Sequence, residues 1–274
     1  MTTTERTQYL LASDFDQTLS FNDSGAVLAE LIGVPDFERR VQGLSDSNLV
    51  QQGGELAYLI RHDPDFRGVR REHLRAAGER VRLKQAIPEL LALLENGIDG
   101  ARIAFRVISA APREVVVAAL DGIVPAEHIV ATELDFDAET AEVAAIHHVA
   151  AGFGKVAALE LLSAELGIAL DRVIYVGDGS SDVHAMLHVN HHQGFTVAVS
   201  GNRLLARVAL ATVISDNACS VLMPILEQVF GWRVPAIRAM LERSGLRVDA
   251  WEKVRMETVK LAEIGRTQAR ERIA

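Results

Sequence analysis

Short stretches at residues 9–13, 102–109, 173–176, 195–199 and 211–215 have strand length, and most are apolar without a break. A strand with one wet face alternates apolar and polar residues. A strand covered on both faces reads as a continuous apolar run. Helical patterns lie among these runs, at 113–120, 155–166 and 182–188. Strands alternating with helices predict an α/β fold with a Rossmann-like parallel sheet. The stretch 129–146 reads as one further strand and then a hairpin around residues 137–140.

The rhythm breaks between the first run and the second. About 80 residues intervene without a convincing strand, whereas a parallel crossover needs only a dozen or so. Helical patterns at 22–32, 49–61, 69–81 and 87–95 fill the gap, which reads as a helical cap domain inserted after the first strand. The expected organisation is a discontinuous α/β core at 1–21 and 96–228, a cap at 22–95, and a C-terminal helical extension at 229–274. Helices are predicted in that extension at 234–244 and 251–272.

Bulk properties narrow the function. The net charge is −9, with 28 Lys and Arg against 37 Asp and Glu. Binding to a nucleic-acid backbone needs a basic surface, so no nucleic-acid partner is expected. The single cysteine, Cys219, rules out an intramolecular disulfide and fits a reducing compartment. The first residues carry too short an apolar run for a secretory leader, and no run has the length of a membrane span. The expectation is a cytoplasmic protein with no membrane association.

The polar residues just past each apolar run narrow the chemistry further. The first run leads into Asp14, Phe15, Asp16, Gln17 and Thr18. The second ends at Ser109. The third ends in Gly177, Asp178, Gly179, Ser180, Ser181 and Asp182. Open parallel sheets bind ligands at the carboxyl ends of their strands, so these residues fall near one rim. Asp14 and Asp16, two apart on extended chain, project to the same side while Phe15 turns into packing. Carboxylates gathered in this way repel one another unless a cation intervenes, and hard oxygen donors suit Mg²⁺. Ser109 precedes a helix, where a hydroxyl and backbone N–H groups hold anions or where a serine simply caps the helix. Lys155 opens another helix against its dipole, which calls for a further reason such as a phosphate. Asp182 has the alternative use of capping the helix that starts beside it.

Taken in order, Asp-x-Asp-x-Thr at 14–18, Ser109, Lys155 and Gly-Asp-x-x-x-Asp at 177–182 resemble the haloacid dehalogenase superfamily of phosphohydrolases. The nearest subgroup is the phosphoserine phosphatase-like one, with a type I helical cap. The resemblance covers roughly residues 9–215. It implies a Mg²⁺-dependent phosphatase that hydrolyses a small phosphorylated metabolite through an aspartyl-phosphate. Asp14 would be the nucleophile and Asp16 the general acid and base. Thr18, Ser109 and Lys155 would position the phosphoryl group. Asp14, the Asp16 backbone carbonyl, Asp178 and Asp182 would surround the metal, Asp182 directly or through water. Nine residues after the nucleophile, where phosphoserine phosphatases carry a glutamate that meets the substrate amine, stands Asp23. It reads either as a specificity residue or as a helix cap. No arginine matches the one expected to grip a substrate carboxylate.

Two other chemistries fit the same pattern, a phosphomutase and a non-catalytic phosphate-binding or scaffold protein. His184, His188, His191 and His192 cluster after the last motif without a metalloprotease-type context, so packing and surface positions are expected for them. The apolar stripe of the C-terminal extension packs on the parent chain, completes the lid or forms a homodimer contact. Packing is the first expectation.

Overall fold

The computed structural model describes residues 7–48 and 50–253. By backbone contacts the chain divides into two units, Met1–Ile237 and Arg238–Ala274. The first contains a seven-stranded sheet built from β1 (Gln8–Ser13), β2 (Arg102–Pro112), β3 (Ile129–Phe136), β4 (Val143–His148), β5 (Val173–Gly177), β6 (Phe195–Ala198) and β7 (Ala211–Thr212), in the spatial order β4-β3-β2-β1-β5-β6-β7. Neighbouring strands pair in parallel except β3 and β4. Those two form the antiparallel hairpin expected from the sequence around Asp137, whose carboxylate accepts the Glu139 and Thr140 amides in the turn.

β1 lies at the middle of the sheet, between β2 and β5. Leu10, Leu11 and Ala12 are buried there, as their unbroken apolar run predicts. Leu10 and Ala12 join Ile108, Leu159, Tyr175, Met186 and Val189 in one core cluster, which ties the central strands to the helices behind them. A fully buried leucine contributes about 1.5–3 kcal/mol.

Among the described residues, five α-helices occupy the stretch between β1 and β2: α1 (Ser24–Ile32), α2 (Phe37–Ser47), α3 (Glu55–His62), α4 (Arg71–Arg80) and α5 (Ile87–Asn96). Sequence periodicity anticipates four of them. It misses α2, whose apolar stripe of Phe37, Val41 and Leu44 is short and only half-buried. The pattern at 49–61 also overruns, because Gly53 and Gly54 delay the helix to Glu55. Gly53, at φ +89°, sits where an added Cβ would lie 2.8 Å from Ser181 Cβ, 2.9 Å from Ala151 Cβ and 3.5 Å from Ala110 Cβ. The helical segment thus touches three core loops at one residue that has no side chain.

The remaining helices are α6 (Arg113–Ala119), α7 (Phe153–Leu166), α8 (Val183–His191), α9 (Leu205–Val208), α10 (Leu222–Gln228) and α11 (Val234–Arg243). Beyond α10 the chain is anchored to the sheet unit. Phe230 packs on Tyr9 at 5.2 Å between ring centroids, and Trp232 Nε1 donates to Asp99 Oδ2 at 2.6 Å. In the second unit Arg238 Nη1 donates to the Val248 carbonyl at 2.8 Å. The helix predicted at 251–272 lies, from residue 254 onward, outside the described residues.

Candidate active site

Where β1 ends, the chain leaves the sheet in a tight loop. The Phe15 carbonyl accepts the amides of Thr18, Leu19 and Ser20, and Gln17 adopts a left-handed conformation at φ 54°. Phe15 is fully buried, as the two-residue alternation predicts. Asp14 Oδ1 accepts from Lys155 Nζ at 2.7 Å. Asp16 turns toward the start of α1, where the Ser24 amide and hydroxyl donate to its two oxygens at 2.8 and 2.9 Å. The Thr18 hydroxyl is buried without a hydrogen-bond partner among the described residues.

Asp182 folds back under its own strand. Its Oδ1 accepts from Lys155 Nζ and from Tyr175 Oη, each at 2.6 Å, and its Oδ2 accepts the Asp178 and Gly179 amides at 3.1 and 3.0 Å. Four donors use all the ordinary acceptor directions of a carboxylate. Gly177 makes the fold-back sterically possible, because a Cβ there would lie 2.6 Å from Asp182 Oδ2. Asp182 therefore fixes the loop that presents Asp178. It does not serve as a side-chain cap on the next helix, since α8 receives no side-chain cap hydrogen bond from it.

Lys155 stands in the first turn of α7 and is fully buried. Burial works against its charge, but Asp14 and Asp182 together outweigh that and hold the ammonium above its ordinary range. This accounts for a lysine placed against a helix dipole. Ser109 is also fully buried, but its hydroxyl accepts the Ala111 amide at 3.1 Å, within its own loop. It is Ala110 and Ala111 that line the adjoining cavity, just where β2 shifts register against β3.

The cavity measures about 210 Å³ and is lined by Asp14, Asp16 and Asp178 on the sheet side. Asp23 and Glu55 line it from the helical segment, with Phe37 and Leu56 as apolar wall. Asp23 serves as a helix cap and also lines the cavity. Its Oδ1 caps α1 by accepting the Gly25 and Ala26 amides at 2.8 and 3.0 Å, and the residue still faces the cavity. Sequence reasoning misses Glu55 and Tyr175. A buried tyrosine needs a partner for its hydroxyl, which is a usable signal in an otherwise aliphatic strand. Glu55 gives no such signal, since an acidic residue opening a helix is ordinary.

The electrostatics reflect crowding. Burial, then the neighbouring Asp182, pushes Asp14 up to about 6. Burial, then Asp14, pushes Asp178 up to about 9. Burial, then Asp23 and Asp14, holds Asp16 well above the carboxylate range. Carboxylate oxygens of Asp14, Asp178 and Asp182 lie within 4.8 Å of one another. Among the described residues this is the group able to hold a metal ion, and no histidine belongs to it. Hard oxygen donors at this spacing fit a small divalent cation such as Mg²⁺. The histidines instead pack on neighbours: His188 on His192 at 4.6 Å between centroids, and His184 on Phe153 at 4.3 Å.

The crowding predicts a stability signature. Both Asp14 and Asp178 titrate above their ordinary value of 3.8 in the folded state. The folded protein therefore retains protons that the unfolded chain has already released, and stability falls as pH rises between about 4 and 9. With chelator present, the melting temperature is expected to be lower at about pH 8 than at about pH 5.5, and Mg²⁺ to raise it more at the higher pH. An equal Mg²⁺ shift at both pH values, read by scanning fluorimetry, would contradict the site.

With this geometry in place, comparison with known proteins is specific. Residues 11–187 match the model of the haloacid dehalogenase-like hydrolases. The chain belongs to that family. No curated protein sequence matches it. Among solved structures it is similar to a substrate-bound phosphoserine phosphatase complex, at TM-score 0.62 and 19% identity over 81% of this chain and 99% of that one. It is similar also to a phospho-aspartyl intermediate analogue of phosphoserine phosphatase, at TM-score 0.61 and 19% identity over 81% and 99%. A HAD family hydrolase from Salmonella enterica serovar Typhi aligns at TM-score 0.63 and 16% identity, over 80% and 71%. At these identities the likeness is one of fold. No helix among the described residues is long and apolar enough to cross a membrane.

Proposed function

We propose that this hydrolase is a Mg²⁺-dependent phosphatase that cleaves a small phosphomonoester through an aspartyl-phosphate on Asp14. The observation that carries the reading is the buried Lys155 ammonium, which bridges Asp14 Oδ1 and Asp182 Oδ1 behind the Asp14 that lines the cavity. It orients Asp14 through Oδ1. Phosphoryl transfer demands positioning and charge neutralisation more than elaborate acid–base machinery.

The Asp14 carboxylate attacks phosphorus, forming an acyl phosphate as the bond to the ester oxygen breaks. Asp16, held by Ser24 and with its carboxyl pushed well above the ordinary range by burial and then by Asp23 and Asp14, gives its proton to the leaving alkoxide. The resulting Asp16 carboxylate then takes a proton from water, which displaces phosphate from Asp14 and restores the starting state. Mg²⁺, when bound, supplies positive charge for the phosphoryl oxygens. Asp14 and Asp178, with the Asp16 carbonyl, are the residues assigned to hold it. Asp182, whose oxygens are already engaged, is assigned to positioning Lys155 and the Asp178 loop. Lys155 and the backbone around Ala110 and Ala111 are assigned to the phosphoryl group. Ser109 shapes that backbone, and Thr18 supports the loop of the nucleophile. The helical segment between β1 and β2 acts as the cap that encloses the leaving group, in a space small enough to favour a small metabolite.

The test is phosphate release from a panel of small phosphomonoesters, with Mg²⁺ and with chelator. Metal-dependent release from part of the panel is expected. Release unaffected by chelator, or none from any compound, would contradict the reading.

A further inference from the structure

We infer that a small cavity beneath the nucleophile loop is a hydration site, in which one ordered water joins the Thr18 hydroxyl to that of Ser220 and so ties the loop to the chain beyond β7. Thr18 is then a positioning residue that acts from below, not a ligand of the phosphoryl group. The site itself is independent of the phosphatase reading, and its kinetic consequence rests on that reading.

Thr18 is 4% exposed, and its hydroxyl is buried without a hydrogen-bond partner among the described residues. A buried hydroxyl in that condition carries its full desolvation cost, so such groups in folded proteins are met by protein or by water. The cavity that Thr18 lines measures about 10 Å³ and also meets Ser13, Lys84, Asn217 and Ser220, with the rest of its described lining apolar. A space of about 10–15 Å³ holds one water, which needs about two to four polar partners. These polar residues meet because the backbone laces three segments together. The Lys84 amide donates to the Leu19 carbonyl at 2.8 Å, the Gln85 amide to the Asp216 carbonyl at 3.1 Å, and the Ala218 amide to the Gln85 carbonyl at 2.9 Å. The stretch after α4 therefore runs between the nucleophile loop and the turn that carries Asn217 and Ser220.

The donors and acceptors select water over an ion. Lys84 is the one ionisable side chain on the described lining, and its positive charge opposes a cation. Ser13 gives its proton to the Asp14 carbonyl at 2.8 Å, so it offers the cavity lone pairs, which oppose an anion. Asn217 takes the Cys219 amide on its Oδ1 at 2.9 Å, and its NH₂ group is a donor. A water serves both kinds of group at once, whereas an ion serves one. Burial holds the Lys84 ammonium below its ordinary range, with Asp178 and then Asp216 pulling the other way, so a water beside it also relieves desolvation. Thr18 stands four residues after Asp14, and its amide closes the loop on the Phe15 carbonyl at 3.2 Å. Anchoring its hydroxyl from below fixes where the loop sits, and with it the approach of Asp14 to phosphorus.

The experiment pairs a high-resolution crystal structure of the full chain, grown with sodium bromide, with kcat and KM for p-nitrophenyl phosphate in the presence of Mg²⁺. One peak about 2.6–3.0 Å from Thr18 Oγ1, without an anomalous bromide signal, is expected in the unaltered protein and in Thr18→Ser, and no peak there in Thr18→Val. No density in the cavity of the unaltered protein, or a bromide peak in it, would overturn the inference. Thr18→Val is expected to lower kcat by about threefold to tenfold with KM held within about twofold, and Thr18→Ser to restore most of the loss. Ser220→Ala is expected to reproduce part of that loss, and the double variant to be no slower than Thr18→Val alone, because both substitutions break the same bridge. A rise in KM as the main effect of Thr18→Val would place Thr18 on the substrate, and losses that multiply in the double variant would show two unconnected defects; either result would overturn the bridge. If the unaltered protein releases no phosphate, the phosphatase reading fails and the density alone decides the hydration site.

Discussion

Asp14→Asn is expected to abolish phosphate release, by about 10⁴-fold or more, while the protein remains folded. An amide oxygen cannot form the acyl phosphate, and no other side chain in the cavity replaces it. The substitution is nearly isosteric, and the amide oxygen still accepts from Lys155, which keeps its second partner in Asp182. Burial and the nearby Asp182 already make the Asp14 charge costly, pushing its titration up to about 6. Removing that charge therefore leaves the melting temperature of the metal-free protein unchanged or raised. Residual activity near the original rate would take Asp14 out of the chemistry. A collapse of the fold would show that the Asp14 charge is structural.

Lys155→Met carries the second large effect, on stability as well as rate. Lys155 is fully buried and bonds both Asp14 and Asp182. Methionine fills much of the volume but leaves two buried carboxylates facing each other without a cation. Breaking a buried pair in this way costs about 3–5 kcal/mol. Urea denaturation is expected to show a loss on that order at neutral pH, partly recovered at lower pH as the carboxylates take up protons. An unchanged denaturation midpoint would mean that the ammonium is not the keystone of this site.

How far the sequence anticipates this site depends on which forces set each residue. Asp14 and Asp16 are legible as carboxylates set just past the end of an unbroken apolar run, with Phe15 between them as the residue that turns into packing. The acidic loop at 177–182 is visible as a glycine-rich break after an apolar run. Its fold-back is not visible, since Gly177 matters only for the room it leaves Asp182. Lys155 reads as an anomaly at a helix start, and its two partners come from elements distant in sequence. Ser109 illustrates the opposite case: the position is legible, but its hydroxyl serves its own loop and presents the backbone of Ala110 and Ala111. Glu55 is illegible because its significance is wholly tertiary, a charge enclosed by α2 and Gly53. The helix α2 itself escapes because its stripe of Phe37, Val41 and Leu44 is short, half-buried and set among charged residues. Asp23 caps α1 through one carboxylate oxygen and still lines the cavity, so the cap reading does not by itself displace the other.

The most direct test of this mechanism is to trap the covalent intermediate. The protein, incubated with Mg²⁺ and a phosphomonoester that it hydrolyses, is quenched in mild acid within the first turnovers and mapped by peptide mass spectrometry. A phosphoryl group is expected on the peptide containing Asp14, stable in mild acid, lost in alkali as acyl phosphates are, and absent from Asp14→Asn. Hydrolysis that proceeds with no phosphorylated peptide, or with the phosphoryl group on any other residue, would contradict the aspartyl-phosphate mechanism.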